Sequence, residues 1–112
     1  MNIPKAYKGS EPYIFVSYSH RDSETVMEII QNMIDAGYRI WYDEGIDPGT
    51  AWDENIANHI ETAGFFLAFV SPGYVGSDNC RDELNFSRDL KMPQLMVYLA
   101  ETKLTPGMKM RI

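Results

Sequence analysis

The chain predicts an α/β domain built as a doubly wound parallel sheet, and three observations carry that prediction. Four short runs, Tyr13 to Tyr18, Tyr38 to Tyr42, Phe65 to Val70 and Gln94 to Leu99, are apolar or aromatic with few interruptions. Runs this short and this continuous are strands buried on both faces. Between them lie segments with helical spacing of apolar residues, and the links are short. The order strand, helix, strand, helix, strand, helix, strand calls for right-handed crossovers with helices on both faces of one sheet. At 112 residues and 45% hydrophobic content the chain forms one domain with a substantial core.

The first strand, Tyr13-Ile14-Phe15-Val16-Ser17-Tyr18, is aromatic and β-branched and runs into a polar loop, Ser19-His20-Arg21-Asp22. Ser19, His20 and Asp22 are the residue types of a hydrolase triad, but they are chain neighbours without a nucleophile elbow, and capping and solvation account for them. Asp22 or Ser23 can cap the following helix, Glu24 suits its positive end, and Val26, Ile29, Ile30, Met33 and Ile34 repeat at helical spacing until Gly37. Tyr38-Arg39-Ile40-Trp41-Tyr42 is the second strand. Asp43-Glu44-Gly45-Ile46-Asp47-Pro48-Gly49 follows as a loop of turn residues in which Ile46 stands out, either tucked onto the domain or offered to a partner. Thr50 and Asp53 have capping-box spacing and open a helix lined by Trp52, Ile56, Ile60 and Ala63. His59 on that helix reads as a surface or core-edge residue.

The third run, Phe65 to Val70, is stopped by Ser71-Pro72-Gly73, and a further loop, Tyr74 to Ser77, leads to a helix over Asn79 to Lys91. This loop lies at the carboxyl end of a buried strand, the edge at which open parallel sheets bind ligands. At about 100° per residue, Cys80, Leu84 and Ser87 share one arc of the helix and Glu83 stands on its flank. Glu83 is thus a carboxylate beside the packed face; capping a loop or pairing with Arg81 or Arg88 is the plain structural role for it. Met92-Pro93 ends the helical pattern, Gln94 to Leu99 is the fourth strand, and Thr105-Pro106-Gly107 begins another loop.

Charge narrows the function classes. A net charge of -6, a pI near 4.7 and the lack of a basic stripe argue against a nucleic-acid or anionic-membrane surface. One cysteine, Cys80, makes no internal disulfide, and no metal-ligand spacing is present. Residues 1–11 carry no apolar core of signal-peptide length, and no apolar run approaches the roughly 18 residues of a membrane span. A soluble chain in a reducing, cytoplasmic setting is expected.

Two families of this architecture fail at residues they require. A phosphoacceptor receiver needs acidic residues at the ends of its first and third strands, where this chain has Ser17-Tyr18-Ser19 and Val70-Ser71-Pro72, and a flavodoxin needs a glycine in the first loop. Three ordered motifs instead resemble the Toll/interleukin receptor (TIR) domain. They are Phe15-Val16-Ser17-Tyr18-Ser19-His20-Arg21-Asp22, then Trp41-Tyr42-Asp43-Glu44-Gly45-Ile46-Asp47-Pro48-Gly49, then Ser71-Pro72 through Cys80-Arg81-Asp82-Glu83-Leu84. Together they cover Tyr13 to about Tyr98, and the second resembles bacterial members.

The resemblance implies a flavodoxin-like domain over residues 12–112, preceded by an extension over 1–11. The four strands present would be followed in a complete domain by a fifth strand and a last helix. It also implies homotypic assembly with other TIR domains, as a homo-oligomer, and cleavage of NAD+ at the nicotinamide-ribose bond, with NAD+ as substrate and no cofactor or metal. The family's catalytic glutamate falls on Glu83. Ser17, Tyr18, Ser19, His20, Arg21, Trp41, Asp43, Ser71, Tyr74, Asn79 and Cys80 would line the substrate, and Asp43 to Gly49 would form an assembly loop. Active members often carry tryptophan four residues before the glutamate, where this chain has Asn79; stacking would then come from Tyr18, Tyr74 or Trp41. The alternative is a TIR interaction module without chemistry. With the sheet ending at Gln94 to Leu99, that uncharged strand becomes an exposed edge, and self-association is expected there.

Overall fold

The structure, a computed structural model, describes residues 4–43 and 52–110. Glu44, Gly45, Ile46, Asp47, Pro48 and Gly49, and the capping box at Thr50, lie outside the described residues. Four parallel strands form one sheet: β1 (Ile14–Ser17), β2 (Ile40–Trp41), β3 (Phe65–Val70) and β4 (Gln94–Tyr98), in the order β2-β1-β3-β4. The second strand is shorter than its apolar run, holding only Ile40 and Trp41 in register with Ile14 and Phe15.

The helices are α1 (Ser23–Asp35), α2 (Trp52–Thr62), α3 (Pro72–Val75), α4 (Asp78–Asp89) and α5 (Pro106–Met110), with a 3-10 turn over His20–Asp22. Strand order fixes their layers. The crossover from β1 to β2 runs in one direction along the sheet, whereas those from β2 to β3 and from β3 to β4 run in the other. With right-handed crossovers, α1 therefore covers one face and α2 and α4 the opposite one, and α2 and α4 touch each other. This is the flavodoxin-like doubly wound arrangement.

The winding of the sheet switches direction between the parallel neighbours β1 and β3, whose register pairs Phe15 with Phe66 and Ser17 with Ala68. Paired residues of parallel strands share a face, so Trp41, Phe15 and Phe66 form an aromatic row beneath α2: Phe15 stacks on Trp41 at 5.2 Å and on Phe66 at 5.5 Å between ring centroids. Val26 and Ile30 of α1 are fully buried. Ile56 and Ile60 of α2 and Leu84 of α4 are likewise in the core.

Two stretches read as loops are single helical turns. At α3, the Ser71 hydroxyl accepts the Tyr74 amide at 3.1 Å and Pro72 occupies the first turn, where its missing N–H costs nothing. At α5, Thr105 accepts the Met108 amide at 3.3 Å, Pro106 again opens the turn, and Met108 is buried. The α4 helix stops at Asp89, two residues early, because Lys91 takes φ +57 and the Lys91 and Met92 amides fold back onto the Arg88 and Ser87 carbonyls. Of the N-terminal segment, Tyr7 donates its amide to the Ile40 carbonyl at 2.7 Å, Ala6 is buried, and the Tyr42 hydroxyl bonds to the Pro4 carbonyl. This segment therefore lies against β2. At the other side of the sheet β4 carries Leu95 and Tyr98, each about half exposed.

Candidate active site

Ser17 is the last residue of β1 and points to the α2/α4 face. Its hydroxyl donates to Glu83 Oε1 at 2.6 Å and lies 2.9 Å from the Tyr74 hydroxyl. Three elements thus meet at the carboxyl edge of the sheet, where the strand order reverses between β1 and β3: a strand end, a helical turn and the second turn of α4. Glu83 reaches this point because α4 starts where the sequence puts it, with Ser77 accepting the Cys80 amide at 3.3 Å, so that Cys80, Leu84 and Ser87 all turn inward and are buried. The predicted arc is the observed one.

Burial pushes the Glu83 carboxyl up to about 7; the Ser17 hydrogen bond works against this, and Asp43 and Asp82 add to the upward push. The cations expected as structural partners of Glu83 have other contacts. Arg81 pairs with Asp78 and reaches the Val75 carbonyl, and an Arg88 guanidinium N–H goes to the Met108 carbonyl. Among the described residues Ser17 donates a hydrogen bond to Glu83, so this carboxyl sits largely desolvated with a neutral hydroxyl as its donor.

Around it the loop after β1 supplies the rim. Tyr18 is nearly buried, donates its hydroxyl to the Asp43 carbonyl at 3.1 Å and stacks on the His20 ring at 5.3 Å. His20 Nε2 lies 3.8 Å from Asp43 Oδ2. His20 and Arg21 are exposed, as is Asn79 in the first turn of α4. Ser19 is buried and caps the 3-10 turn by accepting the Arg21 amide at 3.3 Å. Ser71 is buried as well, and its hydroxyl donates to the Asp22 carboxylate.

Several residues expected to line a substrate are buried in the domain. Trp41 stacks on Phe15 and, at 3.9 Å, on His59, so its ring is spent inside the α2 face. His59 itself bonds through Nδ1 to the Asn55 carbonyl at 2.8 Å and is a core-edge residue. The Tyr74 ring is fully buried, leaving it no surface for stacking. Cys80 is buried, its Sγ lies 3.4 Å from the Tyr18 carbonyl, and burial pushes its thiol up to about 12, which makes it a neutral prop. Of the rings proposed to replace the missing tryptophan, only Tyr18 stays at the rim, with His20 laid over it.

Two residues escaped the sequence reading. Asp22, expected as a helix cap, makes no side-chain cap bond and holds Ser71 instead, tying the first and third loops together. Gly73 sits so close to the first loop that a Cβ there would meet Ser19 Oγ at 3.0 Å. No group of three metal-ligating side chains is found among the described residues. A shallow groove bounded by Pro12, Tyr13, Tyr38 and Arg39 lies at the opposite, amino end of the strands.

A doubly wound parallel domain with a half-buried carboxylate at its switch point defines the class. Within that class the chain belongs to the TIR domain family, whose sequence profile matches residues 14–109. A search of curated protein sequences finds no match. Solved structures carry the same fold. The TIR domain of the Toll-related receptor TRR-2 from Hydra magnipapillata superposes with a TM-score of 0.74 at 17% identity, over 86% of this chain and 77% of that one. The TIR domains of the activated Roq1 resistosome, which directly recognises the pathogen effector XopQ, give 0.67 at 18% identity, over 79% of this chain and 57% of that one. A metazoan TIR-STING receptor from C. gigas gives 0.70 at 17% identity, over 94% of this chain and 37% of that one. No helix among the described residues is long and apolar enough to cross a membrane.

Proposed function

We propose that this TIR domain cleaves NAD+ at the nicotinamide-ribose bond when assembled with further copies, with Glu83 as the catalytic carboxylate. The observation that carries the reading is the hydrogen bond from Ser17 to Glu83, which holds a largely desolvated carboxylate at the ligand edge of the sheet. Breaking the glycosidic bond develops positive charge on the ribose ring. A fixed carboxylate in a partly dry site stabilises that charge far more than it stabilises the ground state. Nicotinamide departs as a neutral molecule, so the site needs no strong acid. The ribose cation is then captured by water or by an internal nucleophile, giving linear or cyclic ADP-ribose.

The exposed Arg21 and His20 beside the site suit the pyrophosphate of the substrate. Asp43 to Gly49 is assigned the assembly role, in a cytoplasmic protein of bacterial defence or signalling. The second reading, an interaction module without chemistry, draws on Asn79, an exposed polar residue where a stacking ring would be useful.

Loss of NAD+ followed by chromatography, on concentrated protein and on protein forced to assemble by fusion to an oligomeric scaffold, separates the two. Cleavage that falls by at least about a hundredfold in folded Glu83→Gln supports the enzyme. Intact NAD+ under enforced assembly leaves the interaction module.

A further inference from the structure

We propose that Tyr74 is a positioning residue for Glu83: its hydroxyl, acting through Ser17, fixes Oε1 of the carboxylate at the end of β1. Ser17 has one proton, and the 2.6 Å contact commits it to the carboxylate. The Tyr74 hydroxyl also has one proton and two acceptors in reach, Ser17 Oγ at 2.9 Å and the Cys80 carbonyl at 3.4 Å, and the shorter contact assigns that proton to Ser17. Donation into Ser17 polarises its O–H and strengthens the bond passed on to Glu83.

Tyr74 suits this task. Its ring is fully buried, and burial holds its phenol well above the usual tyrosine range, so it keeps its proton and remains a donor. Its placement is fixed from both ends. The amide is accepted by Ser71 at 3.1 Å, Ser71 in turn donates to Asp22, and the hydroxyl lies 3.4 Å from the Cys80 carbonyl one turn before Glu83. The third loop thereby reaches the carboxylate through the interior, while its surface stays free for a ligand.

The groups that act on Glu83 are Asp43 after β2, Asp82 beside it on α4, and Ser17 at the end of β1; Tyr18, Tyr74 and Cys80 stand close and are held protonated. The two acidic neighbours push the carboxyl toward its neutral form, and the Ser17 bond is what opposes them. Weakening that bond therefore raises the pH at which Glu83 titrates.

The proposal rests on the catalytic reading of Glu83 only for its bearing on turnover; the relay itself is tested in the resting protein, without NAD+. The measurement is the titration of the Glu83 side-chain carbon by NMR on 13C-labelled protein, assigned by its loss in Glu83→Gln. Ser17→Ala should move the midpoint upward by about one pH unit and Tyr74→Phe by about half as much. In the Ser17→Ala background Tyr74→Phe should add nothing, because the path is gone. A midpoint untouched by Tyr74→Phe, or moved equally with and without Ser17, would overturn the relay. Should Tyr74→Phe fail to fold, 3-fluorotyrosine at position 74, a stronger donor of nearly the same size, should move the midpoint downward, and an unmoved or raised midpoint would refute the proposal. Absence of NAD+ cleavage with these shifts intact would sink the catalytic reading alone.

Discussion

Ser17 Oγ and Glu83 Oε1 lie 2.6 Å apart across 66 residues of chain, joining the end of β1 to the second turn of α4. The pair puts a carboxyl group into a setting that opposes its charge, since burial is the largest effect on Glu83 and the hydrogen bond offsets only part of it. A site arranged in this way costs the fold stability in order to hold a reactive group.

That cost has a sign and a pH window. Below the ordinary carboxyl value of 4.5 Glu83 is protonated in both the folded and the unfolded chain. Between 4.5 and about 7 the folded state keeps a proton that the unfolded state has lost, so stability falls as pH rises through that interval. Glu83→Gln keeps an acceptor for Ser17 and carries no charge. Its melting temperature should match the parent near pH 4.5 and exceed it at pH 8, by up to about 3 kcal/mol of unfolding free energy. Calorimetry across this range checks it, and equal stability at pH 8 would show that Glu83 is not desolvated.

NAD+ cleavage, on the proposed mechanism, should require the carboxylate. Turnover should therefore rise with pH along an acid limb whose midpoint lies near 7, the value to which burial pushes Glu83. Initial rates between pH 5 and 9 under enforced assembly measure this limb. A midpoint at the usual carboxyl value would mean that assembly or substrate binding restores an ordinary titration.

Gly73 and Ser19 should behave as a coupled pair. The 3.0 Å approach of a Cβ at 73 to Ser19 Oγ makes Gly73→Ala push the first loop away from the third, at about 1 kcal/mol of stability. Ser19→Ala removes the atom that is struck, so the double variant should lose less than the sum of its parts, by at least about 0.5 kcal/mol. Denaturant titration of the four proteins gives the coupling directly.

The ends of α1 and α4 offer a matched test. After α1, Gly37 takes φ +99 and the Gly37 and Tyr38 amides bond to the Ile34 and Met33 carbonyls; α4 closes in the same way through Lys91 at φ +57. Gly37→Ala should destabilise by about 1 kcal/mol, because no side chain relieves a left-handed backbone, while Lys91→Gly should stabilise by about 0.5 to 1 kcal/mol. Shifts of one sign in both variants would rule out the shared closing motif.

Much of this domain was legible in the amino-acid sequence because the signals concerned are local. Strand length, helical spacing and the stop at Gly37 are properties of neighbouring residues and give the doubly wound sheet, while the three ordered motifs give the family. Helical spacing also places Cys80, Leu84 and Ser87 on one buried arc with Glu83 at its flank. Local capping at Ser71-Pro72 and Thr105-Pro106 is equally present, but in sequence a proline that opens a helical turn is indistinguishable from one that ends a strand or begins a loop. What only the tertiary structure decided is which side of the sheet each residue of a continuous apolar run occupies. Strands buried on both faces lack the polar alternation that would reveal it, and the assignment is made by the handedness of the crossovers. That choice turned Trp41 inward onto Phe15 and His59 instead of toward a ligand, and brought Ser17 beneath Glu83. It also buried the Tyr74 ring and drew Asp22 away from its helix to Ser71, because a hydroxyl or carboxylate satisfies whichever partner the packed chain brings within reach.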